Sequence, residues 1–103
     1  MAGLESKIQL AICKYLRSKG YLFWRFSPQT YNSKLGIHIK HEYVPSGLPD
    51  LMVLTNKLIS LEVKRPKGGK VSANQILMKK RFELLGHEYH VVRSVEDVVD
   101  LGL

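Results

Sequence analysis

Two short aliphatic runs, Asp50–Leu54 and Leu58–Lys64, stand on either side of the polar tripeptide Thr55–Lys57. Apolar runs of this length bounded by turn residues read as strands, not helices. A gap of three residues between them makes a hairpin, with Asn56 able to take the left-handed conformation. Leu54 then faces Leu58, Met52 faces Ser60, and Asp50 faces Glu62. Side chains alternate along a strand. One face therefore carries Leu51, Val53, Ile59, Leu61 and Val63, an aliphatic surface that must be covered. The other carries Asp50, Met52, Ser60, Glu62 and Lys64. Residues directly opposed across a hairpin have Cβ atoms about 4.5–5.5 Å apart, and two carboxylates that close repel unless a cation or a proton lies between them.

A hard divalent cation answers that need. Mg²⁺ prefers oxygen ligands and keeps several waters, so two carboxylates plus substrate phosphate oxygens make an ordinary Mg²⁺ site. Lys64 follows Glu62 by two residues and shares its face, where its ammonium can bind a phosphate or position and activate the attacking water. The competing reading is a surface hairpin with an exposed Glu62–Lys64 ion pair of little worth, Asp50 being a turn residue after Pro49.

The rest of the chain supplies the cover. Leu4, Ile8, Ala11, Ile12 and Tyr15 recur at helical spacing, so Leu4–Lys19 reads as an amphipathic helix ended by Gly20. Tyr21–Ser27 reads as a strand in which Phe23, Trp24 and Phe26 serve core packing. Pro28–Ser33 is polar and turn-like, and Leu35–Val44 is an irregular strand or a long loop. Pro45–Pro49 is a breaker. After the loop Arg65–Lys70, Ser72 opens a helix to about Leu85 with Ile76, Leu77, Met78, Phe82 and Leu85 as apolar positions, and Gly86 suits its end. Glu88–Arg93 reads as a strand, and Ser94 caps a short closing helix. The order is αβββαβα, which predicts an α/β domain with a small mixed β-sheet flanked by helices.

At 103 residues the chain is expected to form a single domain, residues 1–103, with room for one core. One cysteine, Cys13, rules out an internal disulfide and a thiolate zinc cluster. No apolar run reaches the roughly 20 residues that span a bilayer, and no export segment is evident, so a reducing cytoplasm is the expected compartment. The net charge of +7 points to a polyanionic partner. Lys64, Arg65, Lys67, Lys70, Lys79, Lys80 and Arg81 follow one another with no carboxylate among them.

Pro49–Asp50, eleven intervening residues and Glu62-Val63-Lys64 match the PD-(D/E)XK nuclease motif in its E-X-K form. With the lysine-rich loop and Gln75 on the next helix, the string from Gly47 to Gln75 resembles the VRR-NUC branch, the virus-type replication–repair nucleases. The resemblance covers most of the chain. It implies a restriction-endonuclease-like core and a Mg²⁺- or Mn²⁺-dependent hydrolase of DNA phosphodiester bonds, acting in DNA repair in a bacterial or phage-infected cytoplasm. It implies metal binding by Asp50, Glu62 and the backbone carbonyl of Val63, and transition-state stabilisation by Lys64. It also implies a supporting role for Gln75 at the attacking water, and a further acidic ligand on the first helix, where Glu5 is the only carboxylate.

Two of these residues carry a second explanation. Ser72–Gln75 fits a capping box, and Glu5 suits the positive end of a helix. Arg65, Lys67 and Lys70 adjoin the site and are expected to contact nucleic-acid phosphates. Tyr31, Asn32, Lys34, His38, Lys40 and His41 form a polar segment that either recognises a nucleic-acid structure or is an ordinary loop. Small stand-alone relatives in the superfamily, including junction resolvases, imply a homodimer and activity on branched or structured DNA. A catalytically silent nucleic-acid-binding module and a basic interaction protein are the other readings.

Overall fold

The computed structural model describes residues 3–26, 29–32, 37–40 and 43–103. Helix α1 (Leu4–Ser18) leads into strands β1 (Leu22–Arg25), β2 (Gln29–Asn32) and β3 (Ile37–Lys40). Strands β4 (Leu51–Leu54) and β5 (Leu58–Val63), helix α2 (Ala73–Leu84), strand β6 (Glu88–Val92) and helix α3 (Val95–Asp100) follow. Four strands form one mixed sheet in the order β1-β4-β5-β6. The β1–β4 and β4–β5 pairs are antiparallel and the β5–β6 pair is parallel. That last pairing needs a crossover, and α2 supplies it.

The expected order αβββαβα holds with two added strands. Gln29–Asn32, which reads as a turn, is a strand, and it pairs antiparallel with Ile37–Lys40 as a separate two-stranded sheet. Gln29–Asn32 is polar and carries no aliphatic signature, and the alternation of Ile37 and Ile39 with His38 and Lys40 is too short to separate a strand from a loop. The side chains of Tyr31, Asn32, His38 and Lys40, and all of Lys34 and His41, lie outside the described residues.

The hairpin register is the expected one, with Leu51 opposite Leu61, Met52 opposite Ser60 and Leu54 opposite Leu58. Its turn is built differently. No residue other than glycine has positive φ among the described residues, so Asn56 is not left-handed. Instead Thr55 closes the turn, its N–H donating to the Lys57 carbonyl at 3.0 Å and its hydroxyl to the same oxygen at 3.2 Å.

Both faces of the sheet are covered. Ile12 and Leu16 of α1 pack with Leu51, Val53, Ile59, Leu61, Val63, Val92 and Val98 in one apolar cluster. The Tyr15 hydroxyl donates to the Leu103 carbonyl at 2.7 Å, tying α1 to the far end of the chain. On the opposite face Met78 of α2 is buried, and Phe82 meets Tyr89 edge-on with ring centroids 5.7 Å apart. Of the expected apolar positions on α2, Ile76, Leu77 and Leu85 are exposed. Trp24 also stands partly in solvent on the edge strand, not in the core. Helix α2 ends at Gly86, whose φ of 83° reverses the chain where a side chain would be strained.

Candidate active site

Asp50 immediately precedes β4 and Glu62 is the penultimate residue of β5. The ladder that pairs Leu51 with Leu61 brings the two carboxyl groups together at one end of the sheet. Glu62 is 5% exposed and the neighbouring Ser60 is fully buried. The surface-hairpin reading therefore fails: Lys64 Nζ lies 3.4 Å from Glu62 Oε2 with both side chains largely withdrawn from solvent.

Each group is held from behind. Asp50 Oδ2 accepts the Val63 N–H at 2.8 Å, which pins the carboxylate to the adjacent strand. The Lys64 N–H donates to the Val92 carbonyl at 3.0 Å, which continues the parallel ladder and fixes the base of the lysine. The segment before Asp50 is anchored at Gly47. Its carbonyl accepts the Tyr89 hydroxyl at 3.0 Å, its φ is 87°, and a Cβ there would stand 2.4 Å from the Asn74 carbonyl oxygen. Only glycine permits this approach to the start of α2.

A cavity of about 320 Å³ opens at this sheet end, lined by Asp50, Glu62, Val63 and Lys64 on one side. Glu5, Ser6 and Gln9 of α1 line the other. Glu5 thus faces the site, but among the described residues no three His, Cys, Asp or Glu side chains converge as a metal cluster. Ser6 and Gln9 have no motif that would single them out in the sequence; packing of α1 beside the sheet end brings them here.

Gln75 is not among the lining residues. Its Oε1 accepts the Ser72 N–H at 3.0 Å while its own N–H donates to Ser72 Oγ at 3.1 Å, a complete capping box. Arg65, Lys67 and Lys70 are exposed on the loop after Lys64. Arg93, which the sequence does not mark, holds that loop: its guanidinium donates to the Arg65 carbonyl at 2.6 Å and to the Gly69 carbonyl at 3.1 Å.

The electrostatics show what the site lacks. Burial, then the charge of Asp50, push the Glu62 carboxyl up to about 7 against the opposing pull of Lys64. The carboxyl groups of Glu5, Asp50 and Glu62 line the cavity against the single ammonium of Lys64, and a carboxylate withdrawn from water without a compensating cation is costly. The same two carboxylates, with burial as the larger cause, raise the Tyr89 hydroxyl. The donor set fits a hard divalent cation: two carboxylates and the Val63 carbonyl, with room left for water and phosphate oxygens.

A solved structure of a VRR-NUC domain superposes on this chain with a TM-score of 0.71 and 25% sequence identity. The match covers 97% of this chain and 95% of that one. No family model and no curated protein matches the sequence.

Proposed function

We propose that this chain, a VRR-NUC domain by its fold and so a nuclease-type domain, is a Mg²⁺- or Mn²⁺-dependent endonuclease that hydrolyses DNA phosphodiester bonds. The observation that carries the reading is buried Glu62 beside half-buried Asp50, with a single ammonium next to them. Asp50, Glu62 and the Val63 carbonyl would hold the cation, with Glu5 facing the same cavity. When bound, the cation supplies positive charge at the scissile phosphate and lowers the pKa of a nearby water.

The chain's own groups do the rest. Lys64 presents an ammonium at the mouth of the site, where it stabilises negative charge gathering on the phosphate oxygens. The Val63 N–H occupies one oxygen of Asp50 and so orients the other. The loop carrying Arg65, Lys67 and Lys70 binds flanking phosphates, and Gln75 supports the site by closing the first turn of α2. Branched or structured DNA is the proposed substrate and a homodimer the proposed assembly, so that two sites cut two strands. Light scattering of the free and DNA-bound protein should show two copies; a monomer in both would refute paired cutting.

The test is cleavage of linear and branched DNAs with each divalent metal, using wild type, Asp50→Asn and Lys64→Ala. Each variant is expected to lose on the order of 10²–10³-fold in rate while still binding DNA. Wild type that binds DNA yet cuts no substrate under any metal would make the chain a silent binding module.

A further inference from the structure

A second cleft lies between α1 and the edge strand β1, with a volume of about 250 Å³. Leu10, Cys13 and Phe23 form its floor, and Lys14, Arg17 and Arg25 form its rim. Among the described residues no carboxylate lines it. Among the described residues none of the three cations has an ion-pair partner; the described pairs are Lys57–Glu88, Lys64–Glu62 and His90–Glu88. Both arginines act on the Cys13 thiol, which burial pushes up and which Arg25 and then Arg17 pull back down, so their charges converge on one place. Like charges gathered over an apolar floor repel one another unless an anion is present.

The cleft continues the active site. Helical spacing of about 100° per residue puts Ser6, Gln9, Leu10, Cys13 and Arg17 on one flank of α1. The first two line the catalytic cavity and the others line the cleft. At its other side Arg25 pairs with Leu51, and the next residue, Phe26, donates its N–H to the Asp50 carbonyl at 2.9 Å. From Gln9 to Arg17 the helix rises about 12 Å. That length is enough to meet more than one phosphate of a single strand.

We infer that the α1–β1 cleft binds the backbone of the cleaved DNA strand a few nucleotides to one side of the cut, with Lys14, Arg17 and Arg25 contacting phosphates and Phe23 and Leu10 receiving apolar sugar or base surface. This rests on the nuclease reading for the identity of the strand, but the site itself is a property of the cleft. It would give the enzyme a direction along the strand, because the cleft lies on one side of the catalytic cavity only.

The experiment measures binding of labelled single-stranded and duplex DNA to the full chain without divalent metal, across a salt series. Arg17→Ala/Arg25→Ala should weaken binding by about tenfold and lower the log–log salt slope by roughly 1.4–1.8, the value for two lost phosphate contacts. Arg17→Lys/Arg25→Lys should restore most of the slope. Cys13, the single cysteine, should form a disulfide with DNA carrying a thiol tether on the backbone to one side of the cut, and not with a tether on the other side. Unchanged affinity and slope, or equal cross-linking on both sides, overturns the inference. A double variant that binds DNA normally but changes oligomeric state assigns the cleft to a second copy and overturns it too. Since affinity and salt slope are read without metal, failure of wild type to cut DNA would defeat the nuclease reading and the strand's identity, while the binding of phosphates by the cleft would still be decided by the Arg17 and Arg25 variants.

Discussion

Glu62 shows how much one residue's surroundings decide. Its carboxyl sits beside Asp50 with water largely excluded, and its pKa is pushed up from 4.5 to about 7. In the metal-free protein the folded state therefore holds a proton that the unfolded chain releases at lower pH. The sign follows: this contribution to stability is fully present below about 4.5 and is lost as pH rises through about 7. The loss is on the order of 3 kcal/mol. Thermal melts in a chelator should fall between pH 5 and pH 8, Glu62→Gln should flatten that fall, and excess Mg²⁺ should reverse it by favouring the ionised pair. A melt independent of pH and of Mg²⁺ would show that the two carboxylates do not share a charge problem. Gly47 is the other decisive residue. Gly47→Ala places a Cβ 2.4 Å from the Asn74 carbonyl oxygen at a φ of 87°. It should cost about 2 kcal/mol or more in chemical denaturation and lower cleavage further by displacing Asp50.

Among the elements, the loop between β5 and α2 is the one whose placement matters most for substrate. It starts at Lys64, carries Arg65, Lys67 and Lys70, and is fastened by the Arg93 guanidinium through two backbone carbonyls. Arg93 is itself set by α3, because its N–H donates to Asp97 Oδ2 at 2.8 Å, while Ser94 Oγ accepts the Asp97 N–H at 3.1 Å. Arg93→Ala should raise KM for DNA by about three- to tenfold with a smaller change in kcat, as expected for a positioning residue. Arg93→Lys should not rescue it, since one ammonium does not reproduce a planar fork spanning two acceptors. Equal loss in kcat and kcat/KM would instead place Arg93 in direct contact with the transition state.

For the whole molecule the dominant fact is the +7 charge wrapped around a recess of opposite sign. If Lys14, Arg17, Arg25, Arg65, Lys67 and Lys70 each meet a phosphate, the affinity for duplex DNA should fall with a log–log salt slope of about −5. A slope near zero would mean that the basic surface does not engage the backbone. Among the described residues no helix is long and apolar enough to cross a membrane.

The hairpin was legible before any coordinates because its aliphatic period and the three-residue gap leave one register that buries Leu51, Val53, Ile59, Leu61 and Val63 together; slipping it by one residue would expose them. Asp50, Glu62 and Lys64 followed from that register, and the caps at Ser72 and Ser94 from local chemistry. The β2–β3 hairpin was legible only in part: Gln29–Asn32 has no periodic apolar signal, whereas Ile37 and Ile39 alternate with polar residues in a stretch that reads as a strand or a loop. Not legible were the burial of Glu62, the arrival of Ser6 and Gln9 from α1, the loop clamp by Arg93, and the meeting of Arg17 with Arg25. Most of these join residues far apart in the chain, and even Arg17 and Arg25, on successive elements, meet only because α1 packs beside β1; packing decides which of them share a space.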